Sequence, residues 1–339
     1  AIQPKIIGTA ALVVNGPATL SLRPTFASNT YTGGTFVNAG TLNLQAAATF
    51  FAIPGDLTIN NAAVNMSTTP GQIAPTANIF INGGGSFTLP NYSAITTQSF
   101  VSLTFTNDGG TGNPLFAFGT PTAASTIILT SATPITASND SFSTTPLLTG
   151  AAAPTLSVLQ FSNASPTITV NSGLAATGLI VSALIADNAG MTGPIIKAGA
   201  GTLTLNGAST YNGGTTVNAG TLALGNNLAA STGAIVLNAG SGLDASAAGV
   251  SVANALTLNT DLSFAGTNSL TMVGPVALPA ARTVTVAANN LTLGGAVSGA
   301  FALTKAGAGT LTLGVAPVTY TATATPASGS RFIPAAPAA

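Results

Sequence analysis

Asparagine recurs along this sequence at a nearly constant spacing, each time directly after an apolar residue of a strand-like segment. Successive positions lie about 22–25 residues apart in the N-terminal group and about 20–21 residues apart in the later group. Asparagine suits a turn because it tolerates the left-handed backbone conformation and hydrogen-bonds locally. A strand–turn unit that returns at a fixed period is the signature of a solenoid. The eight positions are Asn15, Asn38, Asn60, Asn82, Asn107, Asn218, Asn238 and Asn259.

Short segments of alternating apolar and polar residues lie between these turns, such as TLTL at 202–205 and TLAL at 221–224. A period of about 22 residues fits one coil of a parallel β-solenoid. Here a coil is one circuit of three strands and three turns, and neighbouring coils stack at about 4.8 Å. Leu, Val and Ile would face inward, Thr, Ser and Asn outward, and the stacked asparagines could form an amide ladder. At this period, 339 residues would make about 15 coils.

We therefore predict an all-β fold, a parallel β-helix or solenoid of roughly 20–25 residues per coil with an irregular, proline-rich middle segment. The alternative is a set of antiparallel hairpins in a β-sandwich, of which Asn-Gly-like pairs are also typical. Hairpins turn about every 8–12 residues and do not produce a longer period of this kind, which favours the solenoid.

Four segments of the chain differ in composition. Residues 1–107 are predicted to form N-terminal solenoid coils, and residues 171–315 slimmer C-terminal coils. Residues 108–170 carry six prolines, which sheets confine to edges and turns, so an irregular insertion or a lateral β subdomain is predicted there. Residues 316–339 are predicted to be a Pro/Ala-rich extended tail, either free or docked on a neighbouring subunit. Since 12 of the 15 phenylalanines precede residue 162, the N-terminal half should have a bulkier core or an accessory hairpin.

Charged residues make up only 4 % of the chain, with six basic and six acidic residues and a net charge of zero. This excludes the basic patch that neutralises nucleic-acid phosphates and the electrostatic part of membrane-surface binding. No uncharged apolar run approaches the roughly 18 residues of a membrane-spanning helix. Cysteine is absent, so there is no disulfide framework. We predict no nucleic-acid partner and no membrane insertion.

The chain offers little material for catalysis, since it contains no His, no Cys and no Glu. These absences exclude Ser-His-Asp and Cys-His mechanisms and zinc sites built on His or Cys. Glycoside hydrolysis needs two carboxylates within about 5–10 Å. The nearest two in sequence, Asp244 and Asp261, are separated by less than a whole coil and are not expected to stack. We predict that the protein is not an enzyme and that it has no catalytic residue, no metal and no cofactor. The six carboxylates are Asp56, Asp108, Asp140, Asp187, Asp244 and Asp261.

Two lysines, Lys197 and Lys305, each open a KAGAG unit. Each is expected to be a solvated cap on a turn rather than a ligand for an anionic partner. Tyr31 and Tyr211 occupy matched positions in TYTGG and TYNGG. They are expected to pack over the glycine pair, where the backbone is bare.

The stretch KAGAGTLTLNGASTYNGGTTVNAGTLALG, residues 197–225, returns in part at residues 28–44 and 305–314. It resembles the autotransporter passenger-associated repeat of secreted bacterial β-helices. The resemblance implies a right-handed parallel β-helix exported to the cell surface or beyond, and it implies no chemistry. The sequence ends in RFIPAAPAA rather than in the long amphipathic strands of a translocator. We expect that part to lie outside this chain, or export to follow another route.

The ends of a solenoid are open strand edges unless they are capped or charged. Because the first and last strand segments of this sequence carry little charge, head-to-tail stacking of copies is predicted. The leading hypothesis is a secreted structural protein that self-assembles into an extracellular filament, sheath or surface layer. The alternative is a monomeric passenger or adhesin that binds surfaces or glycans through the side of the β-helix. An ice- or mineral-facing solenoid would need one regular Thr face, against which the uneven spacing of the turns argues.

Overall fold

A computed structural model describes residues 1–47, 49–67, 69–90, 96–106, 112–119, 124–138, 144–150, 157–173, 178–299, 301–314, 321–322 and 331–333. These residues form β-strands and no α-helix. Within them, nothing forms a helix of the length and apolarity needed to cross a membrane. The chain divides into two compact units, residues 1–191 and 192–339, which are taken in turn.

The first unit consists of short strands of three to five residues, in which buried and more exposed residues alternate. They are β1 (Leu12–Val14), β2 (Thr19–Leu22), β3 (Thr35–Val37), β4 (Thr41–Leu44), β5 (Leu57–Asn60), β6 (Ala63–Met66), β7 (Asn78–Asn82), β8 (Ser86–Thr88), β9 (Thr96–Phe100), β10 (Ser102–Thr106), β11 (Leu115–Ala117), β12 (Ser125–Leu129), β13 (Ile135–Ser138), β14 (Leu147–Thr149), β15 (Ser157–Phe161), β16 (Thr167–Val170), β17 (Leu179–Val181) and β18 (Leu184–Ala186).

These strands pair in parallel with their counterparts in the neighbouring coils and form three sheets. In this unit the first sheet has the order β1-β3-β5-β7-β10-β13-β16 and the second β2-β4-β6-β8-β11-β14-β17. The third sheet, β9-β12-β15-β18, begins only after β8. The predicted all-β parallel solenoid is confirmed.

Coil length changes along the first unit. Thr35 pairs with Leu57 and Leu57 with Ile79, which corresponds to about 22 residues per coil. Farther on, Leu115 pairs with Leu147 and Ile135 with Ile168, so these coils take about 32 and about 33 residues. They are longer than predicted. The added length includes the five-residue strands β9, β12 and β15 of the third sheet.

The described prolines between residues 108 and 170 lie directly before strands. Pro114, Pro134, Pro146 and Pro166 precede β11, β13, β14 and β16, which pair in parallel with strands on the first or second sheet. Proline has no backbone N–H to donate, and this position costs the strand no ladder bond. Its carbonyl still accepts: the Leu147 N–H donates to Pro114 O at 2.8 Å. The described residues of this range therefore lie within the coils.

Aromatic rings fill the first unit where its coils lengthen. The ring centroids of Phe87 and Phe116, which are paired on adjacent strands β8 and β11, lie 5.2 Å apart in an edge-to-face arrangement. Phe100 packs 6.1 Å from Phe87, and Phe118 lies 5.8 Å from Phe116. Protein interiors are close-packed, so a wider coil needs larger side chains. The expected bulkier core is present in this unit.

The second unit has the same strand pattern with slimmer coils. Its strands are β19 (Ile195–Ala198), β20 (Thr202–Leu205), β21 (Thr215–Val217), β22 (Gly220–Leu224), β23 (Ile235–Leu237), β24 (Ser241–Ala245), β25 (Val250–Val252), β26 (Leu256–Leu258), β27 (Leu262–Phe264), β28 (Leu270–Met272), β29 (Val276–Ala277), β30 (Arg282–Val286), β31 (Asn290–Leu293), β32 (Val297–Ser298), β33 (Ala302–Ala306), β34 (Thr310–Leu313), β35 (Thr321–Ala322) and β36 (Arg331–Ile333).

Three parallel sheets also make up this unit. Their orders are β19-β21-β23-β26-β29-β32, β20-β22-β24-β27-β30-β33-β35 and β25-β28-β31-β34-β36. Leu203, Leu222 and Leu243 stack in register, fully buried, as a typical core column. The described parts of 316–339 are β35, which pairs with β33, and β36, which pairs with β34. The described strands of the whole chain make about 12 coils rather than about 15, since the middle coils are long.

Candidate functional site

Side-chain amides join the first four coils of the first unit. Asn38 Nδ2 donates to Asn15 Oδ1 at 2.8 Å, Asn60 donates to Asn38 at 2.7 Å, and Asn82 donates to Asn60 at 2.7 Å. Each residue either ends a first-sheet strand or directly follows one, and alternation turns its side chain outward. The four amides therefore form one line on the outer wall.

The second unit has a shorter line of the same kind. Asn238 Nδ2 donates to Asn218 Oδ1 at 2.8 Å, and Asn259 donates to Asn238 at 2.9 Å. Asn107 lies outside the described residues. We call each line an amide ladder. A ladder contains no titratable group, so hydrogen bonding is the chemistry it offers.

Lys197 lies inside the coil, where the expectation of a solvated side chain is wrong. The side chain is 0 % exposed and pairs in register with Val217 on the core side of the first sheet. Its Nζ donates to the carbonyls of Ala198 at 3.1 Å, Gly199 at 2.5 Å and Ala219 at 2.8 Å. A buried ammonium requires such partners. The lysine does cap a turn, and it also joins that turn to the next coil.

Lys305 repeats the arrangement. It is buried, and its Nζ donates to Ala306 O at 2.9 Å and Gly307 O at 2.6 Å. Burial lowers the pKa of Lys197 to about 8 and also lowers the pKa of Lys305, because removal from water disfavours the charged form. The sequence could not reveal this burial, because the carbonyl cage includes the backbone of a turn and, for Lys197, of another coil.

The two matched tyrosines are buried, and each makes a hydrogen bond to a threonine four residues later. The Tyr31 hydroxyl lies 2.6 Å from Thr35 Oγ1, and the Tyr211 hydroxyl lies 2.6 Å from Thr215 Oγ1. Burial raises the pKa of Tyr31 to about 12 and raises the pKa of Tyr211 as well. In the glycine pair after Tyr211, a Cβ on Gly213 would lie 2.0 Å from Gly193 O, so only glycine allows this approach between coils.

Three of the described carboxylates accept backbone hydrogen bonds from the following coil. Asp56 Oδ1 accepts from the Asn78 N–H at 2.8 Å, Asp244 Oδ1 from Thr267 at 2.9 Å, and Asp261 Oδ1 from Thr283 at 2.8 Å. Among the described residues, no three of His, Cys, Asp or Glu lie close enough to hold a metal ion. Asp108 and Asp140 lie outside that part of the chain. These three carboxylates thus serve as connectors between coils.

A row of outward-facing residues on the first sheet was not predicted from the sequence. Phe36, Thr58 and Phe80 pair in register on the outward side of strands β3, β5 and β7, beside the amide ladder. Phe36 is 37 % exposed and Phe80 is half-buried. Alternation of inward and outward residues in TFVN and IFIN already indicates that these two rings face outward.

Open depressions lie on both sides of this row. One, of about 480 Å³, is lined by residues that include Thr58, Asn60, Phe80 and Asn82. The other, of about 440 Å³, is lined by residues that include Phe36, Asp56, Thr58 and Phe80. Because they share Thr58 and Phe80, they form one surface, the aromatic groove. Its defining residues are Phe36, Asp56, Thr58, Asn60, Phe80 and Asn82.

Comparison with known proteins identifies one repeat. A family model described as passenger-associated-transport-repeat matches residues 12–44, 195–224 and 303–325. No curated protein and no solved structure matches the chain. The matched stretches overlap those on which the resemblance depends, so the resemblance is confirmed.

Proposed function

Since the chain is a β-solenoid that carries autotransporter passenger-associated repeats, we propose that it is a secreted, passenger-like protein that attaches to surfaces through the side wall of its coils. It acts at the bacterial cell surface or beyond. The stacked coils supply a rigid scaffold, and the outward residues of the sheets make the contact. The protein has no enzymatic activity in this proposal.

The aromatic groove is the observation that carries this proposal. Phe36 and Phe80 present apolar rings on the outer wall, although the inward positions of β3 and β7 are filled by Val37 and Ile81. Exposed apolar groups that line a depression are typical of binding surfaces. The low charge of the chain favours contacts that depend on stacking and neutral hydrogen bonds.

The contacts of five described ionisable groups support a role without catalysis. Lys197 and Lys305 are held by turn carbonyls, and Asp56, Asp244 and Asp261 accept backbone N–H groups. General acid–base catalysis needs a titratable group within reach of substrate. These groups instead hold turns and connect coils.

Attachment can be measured with the purified chain, labelled on its exposed amines such as that of Lys5, on silica, polystyrene and immobilised neutral and anionic polysaccharides. We expect retention on at least one surface at micromolar concentration, above that of a labelled globular protein of equal size. Retention equal to that control on every surface contradicts the proposal. Fractionation of the producing cells should find the protein outside the cytoplasm, and a cytoplasmic pool alone would contradict its export.

Head-to-tail self-assembly into a filament, sheath or surface layer is the second candidate. The zero net charge and the 4 % of charged residues favour it, because little electrostatic repulsion keeps copies apart. Sedimentation velocity and electron microscopy over a hundredfold concentration range test it. Filaments that lengthen with concentration are expected, and a single monomeric species throughout would contradict it.

A further inference from the structure

The aromatic groove has a periodic structure along the solenoid of the first unit. Phe36 and Phe80 occupy one outward row with Thr58 between them, two coils apart. At roughly 4.8 Å per coil the two rings are separated by about 10 Å along the row. Beside the row, the amide ladder supplies one amide per coil, through Asn60 and Asn82. A partner that fits this groove has its own regular repeat.

The hydrogen-bonding capacity of the ladder suits hydroxyl groups. A side-chain amide has two N–H donors and an oxygen with two lone pairs. In the ladder, Asn60 uses one N–H toward Asn38 and accepts one bond from Asn82. One donor and one acceptor site thus remain on this amide, at the exposed outer wall. Hydroxyls, which both donate and accept, match such a pair.

Charge excludes an anionic partner. Asp56 is the single ionisable residue among the described residues that line the two depressions, and its Oδ1 accepts from both the backbone N–H and the Nδ2 of Asn78. These described lining residues include no lysine or arginine that could bind a phosphate, sulfate or carboxylate. A neutral partner with apolar faces and many hydroxyls is complementary to this surface.

The backbone of the groove does not favour a peptide or a folded protein. Thr58 lies in β5, which is paired with β3 on one side and β7 on the other, so an added strand finds no free edge at this position. A stable protein interface buries about 1,200–2,000 Å² of surface in total. A depression of about 480 Å³ offers far less surface than this to a folded protein.

We propose that the aromatic groove binds an extended, neutral glycan chain. Sugar rings stack on Phe36 and Phe80, about one disaccharide unit apart, and their hydroxyls bond to the amides of Asn60 and Asn82. This inference rests on the proposed function, since it names the partner of the same side wall.

Titration calorimetry with cellohexaose, a neutral extended oligosaccharide, tests the proposal, with hexagalacturonate as its charged counterpart. We expect the wild type to bind cellohexaose and not hexagalacturonate. Phe36→Ala/Phe80→Ala should weaken binding at least tenfold, whereas Phe36→Tyr/Phe80→Tyr should retain it. Phe26→Ala is the matched control, because Phe26 is 93 % exposed and lies outside the groove. Circular dichroism and thermal melting establish that each variant is folded.

Three results overturn the glycan site: no binding of cellohexaose by the wild type, equal binding of the charged oligomer, or affinity within twofold in the folded double-alanine variant. If the chain is nevertheless retained on surfaces, the side-wall function stands and only the glycan assignment fails. If the wild type is retained on no surface, the proposed function fails with it.

Discussion

Single polar side chains in this protein join one coil to the next. Lys197 reaches Ala219, Asp56 reaches Asn78, and Asn60 reaches Asn38, each across one coil. In a chain with so few charges, each of these groups makes a defined hydrogen bond to a neighbouring coil. Substitution of any one of them should therefore lower the free energy of unfolding.

Lys197→Met keeps the length of the side chain and removes its ammonium group. The carbonyls of Ala198, Gly199 and Ala219 then lose a donor inside the coil. We expect the free energy of unfolding at pH 7 to fall by about 1–3 kcal/mol, as urea denaturation would measure. Lys5→Met, at an exposed position, is the control and should change it by less than about 0.5 kcal/mol. Unchanged or increased stability of Lys197→Met would contradict the caging role.

The difference in unfolding free energy between the wild type and Lys197→Met should depend on pH. The pKa of Lys197 is about 8 when folded and 10.5 in the unfolded chain, so the unfolded chain binds more protons between these values. The contribution of this titration to stability is therefore full above pH 10.5 and is lost as the pH falls toward 8. We expect the stability difference between wild type and Lys197→Met to grow as pH rises from about 8 to 10. A constant difference would show that folding does not lower the pKa of Lys197.

Asn60→Asp tests the direction of the amide ladder. The ionised carboxylate of this variant would present an oxygen to Asn38 Oδ1, where Asn60 Nδ2 now donates at 2.7 Å. We expect a loss of about 1–2 kcal/mol at pH 7. The loss should shrink near pH 3, where a protonated carboxyl can donate. Urea denaturation of variant and wild type at both pH values measures this, and equal losses would argue against an N–H donor at this position.

At the scale of the element, the core and the wall use the same residue type for different purposes. Phe116 is fully buried among Phe87, Phe100 and Phe118, whereas Phe36 is an outward residue of β3. Phe116→Ala should lower the free energy of unfolding by about 3–5 kcal/mol, because a cavity is left in a packed cluster. Phe36→Ala should lower it by less than about 1 kcal/mol. Similar losses in the two variants, measured by urea denaturation, would contradict the inward and outward assignment.

The turn after the ladder residue Asn218 requires glycine. Gly220 has φ = +70°, and a Cβ there would lie 2.4 Å from Gly201 O. Gly220→Ala should therefore lower the melting temperature, through a loss of more than about 1 kcal/mol. Gly55→Ala is the matched control, since no atom lies within 4 Å of the added Cβ, and it should be neutral or slightly stabilising. An equal effect of both substitutions would show that the close approach between coils is unimportant.

At the scale of the whole molecule, stability should be nearly independent of ionic strength. The chain has six basic and six acidic residues, and Lys197 and Lys305 are buried away from mobile ions. Between about 0.05 and 0.5 M NaCl we expect the melting temperature to change by less than about 2 °C, as calorimetry would measure. A much larger change would indicate charge interactions that the described residues do not contain.

The sequence predicts the fold best where coil length is constant. The ladder positions from Asn15 to Asn82 are one coil apart, and their spacing follows the pairing register of the first sheet. The third sheet of the first unit was not predictable in this way. Its strand β9, TTQSF, has Gln98 at a buried position, so polar and apolar residues do not separate the two faces.

The site was less predictable than the fold because its contacts link distant residues. The Lys197 cage depends on where Ala219 lies one coil later, which no local pattern contains. The outward position of Phe36 and Phe80 does follow from alternation. Their common row and two-coil separation depend on the register between strands. The repeat period gives this register only approximately.

The amide ladder gives the solenoid of each unit an electrical polarity. In a parallel strand, successive backbone groups point alternately to the two neighbours, so their dipoles largely cancel. Every ladder bond instead runs from a later asparagine to an earlier one, in both units. Hydrogen bonds aligned in this way polarise one another. The ladder is thus a one-directional chain of dipoles along the coils that it joins.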